Sequence, residues 1–276
     1  MEERSPFDLL NAIDNPFIQS TMSGKLFSFI AAVALLASIG TASAKGPVTL
    51  TDGQLDEVTA GAGNPQLPVD FAAFANRSKG LGGVNPAEGT GPVKSLLEIR
   101  QDGVLIQKWD LSCGAAALGT LLDDEFGQPV TEKEVAHGLM GRSEYVAHPQ
   151  LVQLREGFSL LDLKRYVQTY HNGGLYKGEG LGQLELNDLI ERAPVIVPVD
   201  ALGYNHYVIF RGIMGDRVLL ADPAWGNRTM TIDKFQRMWL DYGKAMGHIG
   251  FVVESADGRK LPNRMQPKPS DFVMLR

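Results

Sequence analysis

The chain has 276 residues, 44% hydrophobic and 21% charged, with 26 Lys and Arg against 32 Asp and Glu and a formal net charge of −6. This describes a soluble globular chain of one large domain or two small ones, long enough to bury a core without metals or disulfides. The single cysteine, Cys113, excludes zinc-ribbon, iron–sulfur and disulfide-scaffold classes, and the mild acidity without a long Lys/Arg block excludes an electrostatic nucleic-acid surface.

Residues 1–44 read as an N-terminal extension followed by a secretory signal. From Met22 onward, Lys25 precedes an apolar run from Leu26 to Ile39, and Ala42-Ser43-Ala44 forms an A-x-A cleavage signature. The run has 14 residues, short of the ~20 that span a bilayer. Glu2, Glu3, Asp8 and Asp14 lie where a signal should be basic, which leaves Met1 or Met22 as the start. The expected mature chain is periplasmic and begins at Lys45. There an unpaired thiol is exposed to oxidation, which makes Cys113 conspicuous.

Residues 45–97 are rich in Gly, Ala, Pro and Asn, as in Gly61-Ala-Gly-Asn-Pro65, and read as a linker with little to pack. From 98 to 255 the texture is that of a folded domain. Val104–Trp109 is expected as a short strand and Cys113–Leu122 as a buried helix of small and aliphatic residues. Thr131-Glu-Lys-Glu134 is a capping box opening a helix to about Met140, and Ser159 caps another through Tyr170. A further helix near Leu184–Arg192 stops at Pro194. Strands are expected at Val195–Val199, Tyr204–Met214, Arg217–Ala221 and Ile249–Val253, with a helix at Thr231–Leu240. Helices first and strands second is an α+β order. Residues 256–276 read as a basic, Pro-containing tail.

Cys113 sits where a turn gives way to the helix Gly114-Ala-Ala-Ala, so its sulfur faces unpaired N–H groups and the positive end of the macrodipole, which favour a thiolate. The competing reading is a small buried hydrophobe. A nucleophile needs a base, and His206 stands on an otherwise aliphatic and aromatic strand, where it could equally be a satisfied core histidine. His137, His148 and His171 read as structural or solvated, and His248 is unplaced. Asp222, closing the next strand, could orient the base. A three-residue turn at Met214-Gly-Asp216 would put His206 and Asp222 on one face, whereas a two-residue turn would oppose them unless a bulge intervenes. Gln107, six residues before the cysteine, could donate its amide to an oxyanion.

Together, Gln107-Lys-Trp-Asp-Leu-Ser-Cys-Gly-Ala-Ala-Ala-Leu118, Asn205-His-Tyr-Val-Ile and Ala221-Asp-Pro resemble the bacteriocin-processing, double-glycine cysteine peptidase family over about residues 98–255. The resemblance implies a papain-like α+β fold, helices packed on an antiparallel sheet. It also implies Cys113 as nucleophile, His206 as base, Asp222 as orienter and Gln107 as oxyanion donor, with no metal or organic cofactor. Ser112 stands where many members have Asp. With neither membrane spans nor an ATPase, the chain is similar to an exported stand-alone branch that serves secretion and functional-amyloid operons. Leu50–Gly61 in turn resembles the leaders that this family cleaves, with Leu50, Leu55 and Val58 at the apolar places and Ala60-Gly61 before the cut. The simpler reading is a short amphipathic helix packing on its own domain.

The expectation is therefore an exported endopeptidase cutting peptide or protein precursors after small-residue pairs, with a secretion-system membrane partner and no nucleic acid. The competing expectation is a non-catalytic leader-binding or chaperone module. A different papain-like chemistry, acyl transfer or cell-wall amide cleavage, fits the Gln and Asp-Pro features less well.

Overall fold

The computed structural model describes residues 46–61, 95–170, 173–259 and 263–274. The signal-peptide reading of residues 1–44, linker residues 62–94 and His171 lie outside them.

The described chain opens with β1 (Val48–Thr49), α1 (Asp52–Glu57) and β2 (Thr59–Ala60). Next come α2 (Leu96–Gln101), α3 (Cys113–Thr120) with a π-helical turn at Leu121–Glu125, and α4 (Glu132–Leu139). The short helices α5 (Ser143–Ala147) and α6 (Leu151–Leu154) lead to β3 (Phe158–Ser159) and α7 (Leu160–Thr169). Then β4 (Tyr176–Gly182) and α8 (Leu186–Arg192) precede β5 (Val195–Asp200), β6 (Asn205–Met214), β7 (Arg217–Asp222) and β8 (Gly226–Thr231). The chain continues through α9 (Ile232–Met238), α10 (Gly243–Met246), β9 (Gly250–Ser255) and α11 (Pro269–Met274).

Local chemistry starts the helices where expected. Thr131 accepts from the Glu134 amide while Glu134 accepts from the Thr131 amide, and Ser159 and Asp162 exchange the same pair of bonds. The α3 helix is buried on every side, as its small and aliphatic composition requires. Leu118, Leu121 and Leu122 pack there with Leu163 of α7 and with Tyr207, Ile209 and Phe251 of the sheet.

The sheet has seven strands in the order β1-β4-β9-β5-β6-β7-β8, paired antiparallel throughout. Its central strands are buried on both faces. Ile196, Tyr207 and Ile209 pack with the α3 side, and Val195, Val197, Val199, Val208 and Phe210 pack with Phe235 and Trp239 on the other. This is the α+β architecture of helices on an antiparallel sheet.

Three segments differ from expectation. Val104–Trp109 is extended but joins no sheet. The Leu105 amide bonds Thr120 Oγ1 at 2.9 Å, the Gln107 amide the Pro223 carbonyl at 2.8 Å, and the Lys108 amide Glu132 Oε1 at 2.8 Å. With those donors committed to side chains and a loop, no strand ladder forms. Residues 46–61, the start of the expected linker, are folded onto the domain, because Leu50, Leu55 and Val58 give them apolar surface to bury. The tail beyond 256 is anchored: Met265 is fully buried, its amide donating to Glu125 and its carbonyl accepting from Arg211 Nε. Among the described residues no helix is long and apolar enough to cross a membrane.

Candidate active site

Cys113 is the first residue of α3 and is fully buried. Its N-cap, Ser112, makes no side-chain bond to the helix; the hydroxyl donates instead to the Trp109 carbonyl at 2.7 Å and contacts buried Glu132. Glu132 thus holds both Lys108 and Ser112 and fixes the loop that presents the cysteine. Sequence reasoning missed this role, since a glutamate in the first turn of a helix looks like ordinary dipole chemistry.

His206 and Asp222 come from adjacent strands, and their alignment depends on an irregularity. Of the two arrangements the sequence left open, the β6–β7 turn takes the shorter, with two residues, Gly215 and Asp216, because Met214 pairs with Arg217. That register would put His206 and Asp222 on opposite faces. A shift between Phe210 and Gly212 leaves Arg211 unpaired and resets the ladder, so that Phe210 meets Leu220 and Ile209 meets Ala221. Beyond the bulge the two side chains share a face, and His206 Nε2 lies 2.8 Å from Asp222 Oδ1.

Asp222 also accepts from the Ala224 amide at 2.8 Å, and its second oxygen lies 2.7 Å from the Arg228 guanidinium. Burial disfavours its charge, but His206 and Arg228 outweigh that and hold the carboxyl below the usual range. Burial likewise disfavours a charged His206 ring; the charge and hydrogen bond of Asp222, with Cys113 close by, reverse this and push it up to about 10. These contacts favour the charged ring over the neutral one near neutrality. Its Nδ1 is buried with no partner among the described residues, which leaves that nitrogen for the neighbouring sulfur.

Gln107 is drawn to the site by its backbone bond to Pro223, beside Asp222. Its Nε2 donates to the Trp109 carbonyl at 3.2 Å and keeps a second hydrogen. The other described histidines lie elsewhere. His137 is in the last turn of α4, His148 caps α5, and His248 stacks on Trp239 at 4.5 Å. No group of three or more potential metal ligands gathers among the described residues.

Residues 50–61 lie against these same groups. Leu50, Leu55, Val58 and Ala60 are all buried, and Leu55 fills the space where a side chain at Gly180 would sit. The Val58 carbonyl accepts from the Tyr207 hydroxyl at 2.7 Å and the Leu160 amide at 3.0 Å. Thr59 and Ala60 pair antiparallel with Ser159 and Phe158. The Cys113 thiol donates to the Ala60 carbonyl at 3.4 Å, and the Gly61 amide donates to the carbonyl of Asn205, next to His206, at 3.1 Å.

A comparison with protein families matches residues 103–243 to the peptidase C39 family. The chain belongs to that family. It is thus a cysteine peptidase by descent, and the C39 match contains Cys113, His206, Asp222 and Gln107. Two curated relatives carry the name "Probable functional amyloid protease FapD". The one from Pseudomonas aeruginosa is 35% identical over 64% of this chain and 72% of its own length, and the one from Pseudomonas fluorescens 35% identical over 53% and 61%. Among solved structures, a double-glycine-motif protease from an AMS/PCAT transporter, in complex with its leader peptide, shares 23% identity over 55% of this chain and 90% of its own, with a TM-score of 0.42. The peptidase domain of Streptococcus ComA shares 15% identity over 54% and 96%, with a TM-score of 0.41.

Proposed function

We propose that this C39 peptidase is an exported thiol endopeptidase that cuts peptide or protein precursors after small-residue pairs, Gly-Gly or mixed Gly and Ala in type. It serves a bacterial secretion or functional-amyloid system in the periplasm, with a membrane component of that system delivering the substrate. One observation carries the chemistry: His206 bonded to Asp222 at 2.8 Å, beside the cysteine that opens a buried helix. The amyloid setting is supported by the names of the Pseudomonas relatives, and the small-residue preference by the Ala60-Gly61 pair lying at the thiol.

In this mechanism Cys113 attacks the scissile carbonyl as a thiolate stabilised by the adjacent imidazolium. The oxyanion is held by the Cys113 amide, free at the helix start, and by the second Gln107 amide hydrogen. His206 protonates the departing amine while Asp222 holds the ring by charge and orientation. Water then hydrolyses the thioester. The test pairs Cys113→Ala with the unaltered protein on precursors exported alongside it and on a Gly-Gly leader peptide. Loss of all cleavage with an unchanged melting temperature is expected, whereas retained cleavage overturns the mechanism. Slow alkylation of Cys113 near neutral pH, with no peptide cleaved, would point to the leader-binding module instead.

A further inference from the structure

The reactive groups are closed off by the protein's own chain. Cys113 has no exposed surface and His206 has 1%, although a thiol peptidase has to admit a polypeptide to both. The described residues that shield them include Ala60 and Gly61, which meet the site through the hydrogen bonds a bound peptide would make. β2 pairs antiparallel with β3 in a separate two-stranded ribbon, main-chain pairing of the kind that holds extended peptides. The Gly61 amide then bonds the carbonyl preceding the base, and the thiol lies against the carbonyl of the residue before.

The segment is seated by its side chains as well. Leu55 and Val58 have no exposed surface. Asp56 lies 2.6 Å from Arg142 and 2.9 Å from Arg155 and accepts from Ser159 Oγ at 3.1 Å. Although burial opposes ionisation, these contacts hold the Asp56 carboxyl far below the usual range. Position 61 accepts only glycine: a Cβ there would overlap the Glu156 carbonyl and come within 3.0 Å of Gly157 Cα. Glu156 itself has a positive φ of 57°, and Gly157 has 124°. Backbone, not a movable side chain, therefore forms this wall.

We propose that Leu50–Gly61 is an internal substrate, that the peptidase cuts its own chain after Gly61 in cis, and that until then the segment denies the cleft to other substrates. This rests on the peptidase reading above. The Cys113 thiolate adds to the Gly61 carbonyl carbon, a C–S bond forms, and the C–N bond to Ala62 breaks as His206 gives its proton to the new Ala62 amine. Water, activated by the now neutral His206, adds to the thioester; Gly61 leaves as a carboxylate and the thiolate–imidazolium pair is restored. Because the attacking group and the bond it attacks share one chain, the rate is independent of protein concentration.

The experiment follows intact mass and N-terminal sequence in the full chain, using unaltered protein, Cys113→Ala, Cys113→Ser and Gly61→Val, each checked by thermal melting. Cleavage of a Gly-Gly leader peptide added in trans is measured in parallel. A new N-terminus at Ala62 is expected in the unaltered protein at a concentration-independent rate. Both Cys113 variants and Gly61→Val stay intact at that bond. Trans cleavage by unaltered protein shows a lag that tracks the self-cut, and Gly61→Val cleaves the peptide without a lag because its segment end cannot seat. An unaltered protein that cleaves the peptide while its own 61–62 bond stays whole overturns self-processing and leaves the peptidase reading standing. A cut at Ala62 that persists in the Cys113 variants, or tagged Cys113→Ala cut by unaltered protein in a mixture, overturns the cis step. If neither the unaltered protein nor Gly61→Val cleaves anything, both readings fall.

Discussion

Replacing Asp222 with Asn removes one charge while keeping a carbonyl oxygen for His206 Nε2. In the native protein the largest influence on the ring is burial, which opposes its charge, and the Asp222 carboxylate overcomes it to reach about 10. Without the carboxylate only Cys113 opposes burial, and the ring should fall back toward its ordinary 6.5. By the standard conversion that fall removes ~5 kcal/mol of stabilisation from the imidazolium. At pH 7.5 a group titrating at 6.5 is charged in about one molecule in ten, so kcat/KM should drop up to ~10-fold from ionisation alone and recover toward pH 5.5. The sign follows from the direction of the shift. A raised histidine contributes stability fully below the unfolded value of about 6.5 and loses it as the pH climbs through about 10. The native pH–rate profile should therefore keep its plateau to about pH 9, and the Asp222→Asn profile should fall near neutrality. The melting temperature of the native protein should likewise decline between pH 7 and 10, and that of the variant much less. Peptide hydrolysis and thermal melts across pH 5–10.5 supply both readouts. An alkaline limb that stays near pH 10 in the variant refutes the ion-pair reasoning.

Other substitutions probe separate parts of the structure. Gln107→Ala should lower kcat by ~10²–10³ with little change in KM, as expected for one lost oxyanion donor; an equal rise in KM in steady-state kinetics would assign the amide to substrate binding. Glu132→Gln weakens the charged acceptor shared by Lys108 and Ser112. Urea unfolding should show a loss of ~1.5–3 kcal/mol, accompanied by a lower rate of Cys113 alkylation. Leu118→Ala in the fully buried α3 should cost ~2–5 kcal/mol in the same assay, with an unchanged denaturant slope.

What could be read in the sequence was mostly local or carried by an uninterrupted apolar pattern. The capping boxes at Thr131 and Ser159 involve residues three apart, so no tertiary knowledge is needed to place them. The unbroken apolar runs of β5 and β6 have the composition and length of central strands buried on both faces. By contrast, β4 escaped notice because Gly178, Gly180 and Gly182 interrupt its pattern. Those positions lack side chains because Phe251, Leu55 and Leu50 occupy the space from distant parts of the chain. The polar β8, Gly226–Thr231, was hidden for a related reason: it is an edge strand that needs no apolar run. At the site, residue type and order singled out Cys113, His206, Asp222 and Gln107. The grip of Glu132 on the preceding loop, the Arg228 contact to Asp222 and the glycine-only wall at Glu156 and Gly157 arise from long-range packing and leave no spacing to recognise.

The bulge at Arg211 works like a frameshift and its suppressor. A two-residue turn throws the hairpin out of phase, and the unpaired residue restores the phase just before the site-bearing end of β6. Deleting Arg211 alone should turn His206 away from Asp222, and adding one residue to the Gly215-Asp216 turn should bring it back, since either arrangement yields the same parity. The chain nevertheless places its correction where the extra side chain has a second use. Arg211 reaches the Met265 carbonyl and Asn227 Oδ1, and Asn227 reaches the Asp102 carbonyl. The residue that sets the phase of the hairpin is thereby also the clasp that ties the C-terminal arm to the sheet. Trimming that arm would strip a buried cation of a partner and loosen the strand on which His206 is aligned.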